Sequence, residues 1–130
     1  LNSGKLVLVI NFLTLILIIL TGIFEINLFE KDTKIFVENL TKTKKAVEST
    51  NWQDAYENIK ELNKNWESKK QMWAVFINHN EIDNITMYLR QSMEFIKHQD
   101  KTQAMASLAI LEHYLIHISE IEKLKIENII

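Results

Sequence analysis

Residues 6–24 read LVLVINFLTLILIILTGIF. These 19 residues carry no charge, and 15 of them are Leu, Ile, Val or Phe. At about 1.5 Å per residue, a helix of that length reaches roughly 28 Å, close to the thickness of a bilayer's hydrocarbon core. Each large apolar residue contributes roughly −0.3 to −0.6 kcal/mol to insertion, so the run favours lipid even with Asn11, Thr14 and Thr21 counted against it. A buried core helix is the ordinary alternative, but this run is apolar all round and a small bundle has no core that surrounds one helix. A cleaved signal peptide is the nearer rival. Its apolar region is usually about 7–15 residues and ends in an A-x-A-like site; Leu20-Thr21-Gly22-Ile23 is a poor substitute. The expectation is an uncleaved membrane anchor over residues 1–25 and one domain over residues 26–130.

Lys5 and the amino terminus flank one end of the run, and Lys31 and Lys34 lie near the other among Glu25, Glu30 and Asp32. Acidic residues count little toward orientation, so the basic tally is nearly even. A short tail with one Lys ahead of the first apolar run is the pattern of a signal-anchor. The reading is a single-pass cell-membrane protein with its N-terminus inside and its helical domain extracytoplasmic. Only residues 1–5 would then lie on the far side, so a signal crossing the membrane would need another protein to carry it.

Composition limits the chemistry. Among 130 residues there are no Cys, no Pro and two Gly, Gly4 and Gly22. There is therefore no disulfide framework, thiolate zinc site or Cys nucleophile, and no phosphate-cradling loop or nucleophile elbow. Fifteen basic against 17 acidic side chains give a net charge of −2 with no basic block, which argues against nucleic acid. Hairpins need residues that tolerate positive φ, and this chain has few. An all-α fold follows.

Beyond the run, Ile26, Phe29, Thr33, Phe36, Leu40, Thr43 and Val47 step by threes and fours, a heptad stripe diluted by two Thr. Gly22 is tolerated in a membrane helix, so one rod from about residue 6 to residue 48 is expected. Ser49-Thr50-Asn51 then supplies capping groups, with Asp54 three residues after Asn51. Trp52, Ile59, Trp66 and Trp73 repeat every seven, with Ala55, Leu62, Lys69 and Phe76 three residues after each. Large aromatics on one face must be buried, and Lys69 in that seam can pack its stem while its ammonium reaches water.

Ile82, Ile85, Leu89, Met93 and Ile96 form a third stripe, about 140–150° from the Trp face if the helix simply continued. Either the chain breaks near Asn78-His79-Asn80, or one long helix buries opposite faces at its two ends. Asn78 followed by Glu81 favours the break. Asp100 with Gln103 marks a last start, ahead of Ala104, Leu108, Leu111, Leu115 and Ile118. From residue 124 to 130 that spacing is lost, though the tail is apolar enough to pack back. The expected architecture is an N-terminal transmembrane helix continuing into an antiparallel bundle of about four helices.

Two groups of side chains invite a functional reading. His113 and His117 stand at i and i+4 with Glu120 a turn further on, a spacing that lets two imidazoles face one metal ion. Their face lies about 200–240° from Leu111, away from the apolar stripe, and the arrangement lacks the Glu of H-E-x-x-H and a third ligand. Two solvent-facing histidines, with no metal and no cofactor, are the expectation. His79, Glu81 and Asp83 cluster at the predicted break and are interaction candidates for a partner or a cation. Acids at a helix start also serve its dipole, and capping is the plainer role. Six scattered Ser support no nucleophilic triad, so no catalytic residue is assigned and no enzyme is expected.

The ordered set Asn51-Trp52, Trp66, Trp73, His79-x-Glu81-Ile82-Asp83-x-Ile85, Lys123-Leu124 and Asn128-Ile129 resembles domain-of-unknown-function family 4363. The resemblance implies a short single-anchor protein of low-GC Gram-positive bacteria. It carries no activity, substrate or catalytic residue with it. Leu1 then reads as a non-AUG start, with the span at the native N-terminus. The function expected is a membrane-anchored accessory or structural protein that binds another membrane or envelope protein, or itself. The alternative is an extracytoplasmic ligand- or metal-binding sensor module.

Overall fold

The structure, a computed structural model, describes residues 2–129, with side chains through residue 128. Leu1, Ile130 and the side chain of Ile129, which enter the start and tail readings, lie outside the described residues. Four helices follow in order: α1 Ser3–Glu48, α2 Trp52–Phe76, α3 His79–Lys97 and α4 Lys101–Ile129. They run alternately up and down. Helices α2 and α4 both pack on α1, and α3 packs on the same two, which sets α1 and α3 diagonally across the bundle. No strand occurs among the described residues.

Helix α1 has 46 residues and runs through Gly22 without interruption. Its N-terminal half stands clear of the other helices. Over its most apolar 18 residues the mean hydropathy is 2.8, and none of that window is buried. From Gly22 onward the helix becomes one wall of the bundle. The end of the bundle from which the apolar half projects is called proximal below, and the opposite end distal.

The core is aromatic near the proximal end and aliphatic beyond it. Phe29, Phe36, Trp66 and Trp73 interlock edge-on, with Phe29–Trp73 centroids 4.7 Å apart and Trp66–Trp73 centroids 5.5 Å apart. Such tilted pairs set the positive ring edge against the negative ring face and add to what burial alone contributes. Each buried indole also finds an acceptor. Trp66 donates to Thr86 Oγ1 at 2.9 Å, and Trp73 donates to Asp32 Oδ2 at 2.8 Å. Leu40, Ile59, Leu62, Ile85, Leu89, Ile96, Leu108 and Leu111 carry the core toward the distal end.

The stripes on α2 and on α4 through Ile118 face inward as their spacing predicts, but three core positions fall one residue earlier than expected. Glu25, Asp32 and Ser92 are buried, while Ile26, Thr33 and Met93 are only half-buried. The polar side chains hold these places because each has a partner. Asp32 meets the Trp73 indole, Ser92 meets Ser107 across α3 and α4 at 2.7 Å, and Glu25 lies against Glu122. Helix α4 continues past residue 124, with Ile118, Glu122 and Ile126 buried at steps of four.

The expected starts are in place. Asn51 accepts from the Asp54 amide, Asp100 accepts from the Gln103 amide, and Asn78 accepts from the Asn80 amide. Both distal turns share one geometry. Asn51 N–H reaches Ala46 O and Thr50 N–H reaches Val47 O, and Asp100 and Gln99 repeat this with Phe95 and Ile96. That double bond pattern closes a helix through one left-handed residue, usually Gly. Here Thr50 and Gln99, each at φ 56°, do it. The proximal turn differs: Ile77 is extended, so α3 starts in a new direction and its stripe can face the core.

Candidate functional site

The proximal end gathers most of the unusual polar groups. Asn78, which caps α3, sits beside a cavity of about 280 Å³ that is also lined by Glu81, His117, Ile121, Glu122 and Lys125. Glu122 is 8% exposed and accepts from Lys125 Nζ at 3.0 Å. From α1, Glu25, 9% exposed, faces Glu122. Burial pushes the Glu25 carboxyl up to about 7. The hydrogen bond and charge of Glu122 add to the rise, and the Lys125 ammonium opposes it. Two carboxyl groups facing one another with little water share a proton more readily than they hold two charges. Nearby, Lys123 pairs with Glu30 at 3.1 Å, and that hydrogen bond and charge raise the affinity of its ammonium for its proton.

The sequence candidates are divided by this geometry. His79 and Asp83 face each other on the outer surface of α3, Nε2 to Oδ2 at 3.5 Å, both well exposed. Glu81 turns the other way, half-buried, into the cavity with α4. The three do not converge on one point. His113 and His117 stack their rings with centroids 5.1 Å apart and planes 14° from parallel. Both are exposed, and with Lys44, Glu112 and Glu120 they line a groove of about 360 Å³ between α1 and α4. Lys44 and Glu112 close part of that groove as an ion pair at 3.1 Å. Among the described residues no group of three or more His, Asp or Glu is arranged to hold a metal ion. His117 borders both cavities, which no spacing argument on one helix would show.

Glu25, Asp32 and Glu122 were not singled out by sequence. Their signal was present in the spacing: residues 25, 29, 32 and 36, and residues 118, 122 and 126, fall on single helix faces. Lys69 at 3.9 Å from Asp32 and Lys125 beside Glu122 mark the buried acids by their cationic neighbours. Chemically, these groups can hold a proton and bind helix to helix. They present no nucleophile paired with a base.

A family model described as a domain of unknown function (DUF4363) matches residues 23–129. The chain belongs to that family, and the match takes in the whole bundle while beginning just short of the end of the apolar run. Nothing among the curated proteins and nothing among the solved structures matches the chain.

Proposed function

We propose that the chain is a single-pass membrane protein whose bundle, held outside the cytoplasm, serves a non-catalytic accessory role by binding another membrane or envelope protein. The observation that carries this reading is the uncovered apolar half of α1, continuous with a folded half. About 25 Å of apolar helix with no protein around it has lipid as its natural solvent. A cleaved leader fits the packing less well. Cleavage at the end of the run would fall where residues 21–25 are helical and Gly22 and Glu25 are buried. The non-catalytic part of the reading rests on the proximal polar groups, which are occupied with capping and with one another.

Alkaline carbonate extraction of native membranes, followed by N-terminal sequencing of the chain, tests the anchor. The expected result is retention in the pellet with the apolar run intact. Release of a polypeptide beginning near residue 25 overturns it. Crosslinking in intact cells tests the partner, and recovery of the chain only as an uncrosslinked monomer counts against an accessory role. A reporter enzyme fused at the C-terminus tests the side.

A sensor module is the second reading, favoured by the groove that His113, His117 and Glu120 line. Metal analysis of untagged protein decides it, with less than stoichiometric metal and no zinc-dependent stabilisation removing the idea.

A further inference from the structure

The apolar half of α1 is not uniform around its circumference. Its three polar side chains, Asn11, Thr14 and Thr21, fall within about 80° of one another at 100° per residue, with Ile18 between them. Steps of three, four and three separate Asn11, Thr14, Ile18 and Thr21, and the next step of four reaches Glu25. From there the same face is the bundle-facing stripe Glu25, Phe29, Asp32 and Phe36. One continuous face of α1 is therefore covered by α2 and α4 in its upper half and by nothing in its lower half.

The three polar groups are not equivalent. Thr14 and Thr21 return their hydroxyls to their own helix, donating to Ile10 O and Leu17 O at 2.8 Å. Asn11 makes no such bond among the described residues. Its carboxamide, with two donors and an acceptor, lies about 6 Å from the midpoint of the 19-residue run. An amide left unpaired in hydrocarbon is costly, and membrane helices relieve that cost by hydrogen-bonding to a neighbouring helix.

We propose that this face is the docking surface for a transmembrane helix of a different protein. That helix bears a hydrogen-bonding side chain at the depth of Asn11 and ends, or turns away, beneath the bundle. The inference rests on the anchored reading above. A second copy does not fit. Two parallel α1 helices facing each other through this stripe would lie about 8–10 Å apart. Because α1 is unbroken from Ser3 to Glu48, each copy's upper half would run through the space filled by the other's α2 and α4. An antiparallel copy would require opposite insertion of the same sequence. The partner helix must therefore stop below the proximal end, at the turn between α2 and α3 and the last turns of α4.

The test is photo-crosslinking in native membranes, with the full chain carrying benzoyl-phenylalanine at Thr14 or Ile18 on the stripe, or at Ile16 or Leu20 on the opposite face. The expected result is a discrete adduct from positions 14 and 18 alone, at a mass other than twice the chain's 15.3 kDa. Asn11→Leu, which keeps the run insertable, should lower the yield at position 18 about three- to thirtyfold, and Asn11→Gln should largely restore it. Adducts at twice the chain mass, equal adducts from both faces, no adduct from either, or a yield indifferent to Asn11→Leu each overturn the proposal. If the chain still resists carbonate, those failures leave the anchored reading intact. If it appears in the wash, both fall together.

Discussion

The indole N–H of Trp73 meets Oδ2 of Asp32 at 2.8 Å inside the bundle, where Trp73 is fully buried and Asp32 is 1% exposed. This bond joins α1 to α2 at the level where the aromatic cluster is densest. Lys69 Nζ, 3.9 Å from the other carboxylate oxygen, gives Asp32 its only cation within salt-bridge distance among the described residues. Trp73→Phe strips a buried carboxylate of its donor and leaves a void, and should destabilise the chain by about 3–5 kcal/mol. Asp32→Asn keeps an acceptor for the indole and should cost about 1 kcal/mol. Urea unfolding in mild detergent, followed by tryptophan fluorescence and circular dichroism, measures both. In an Asp32→Leu background Trp73→Phe should cost clearly less, because no carboxylate is then left unpaired.

Thr50 closes α1 at φ 56°, a conformation that disfavours a β-branched residue by about 1–2 kcal/mol. Thr50→Gly should remove that strain and stabilise the bundle by about 0.5–1 kcal/mol, after allowing for the greater freedom of Gly when unfolded. Gln99→Gly should act in the same direction by less. Thr50→Ala, which keeps a Cβ, should give no comparable gain. Melting temperatures of the three variants order the effects.

Stability should fall as pH rises from about 4.5 to about 7. The Glu25 carboxyl is raised in the folded chain from 4.5 to about 7. Over that interval the folded state holds a proton that the unfolded state has released, so raising pH favours unfolding. The contribution is complete below the unfolded value and lost once pH passes the folded one. Its size is at most about 3 kcal/mol. Glu25→Gln should flatten this part of the pH–stability curve. An unchanged slope in that variant would assign the effect elsewhere.

His113→Ala and His117→Ala should each shift stability by no more than about 0.5 kcal/mol, since both rings are exposed and stack on each other rather than on the core. Equimolar zinc should leave the melting temperature of the unmodified chain unchanged, because two imidazoles without a third donor hold the ion weakly. A zinc-dependent rise that His117→Ala abolishes would instead support the sensor reading.

The helices and their joints were legible because local chemistry set them. Asn51, Asn78 and Asp100 cap where their side chains predict, and the change of face between the Trp stripe and the Ile82 stripe, with the start signal at Asn78 and Glu81, favoured the break that the structure has there. The positions misread share one cause. A pattern rule assigns acids and Ser to solvent, so Ile26, Thr33 and Met93 were expected in places that Glu25, Asp32 and Ser92 hold, and α4 seemed to lose its period from residue 124 because Glu122 was not counted as part of the stripe. What holds Glu25 and Asp32 inside lies on other helices, namely Glu122 and Lys125 on α4 and the Trp73 indole and Lys69 ammonium on α2, and spacing along α1 alone does not name those partners. The candidate site was half legible for the same reason. His79 and Asp83 are neighbours on one helix, whereas the meeting of Glu81 with His117 and Glu122 depends on how α3 lies against α4.

Because α1 crosses from its exposed half to its packed half without a joint, the two halves turn as one shaft about 69 Å long. The angular bearing of the bundle is thereby keyed to the bearing of Asn11. One residue inserted between Thr21 and Glu25 would swing everything above it by about 100° while leaving length, charge and hydrophobicity almost untouched. Twist along this axle, as much as its length, is what the unbroken helix holds constant.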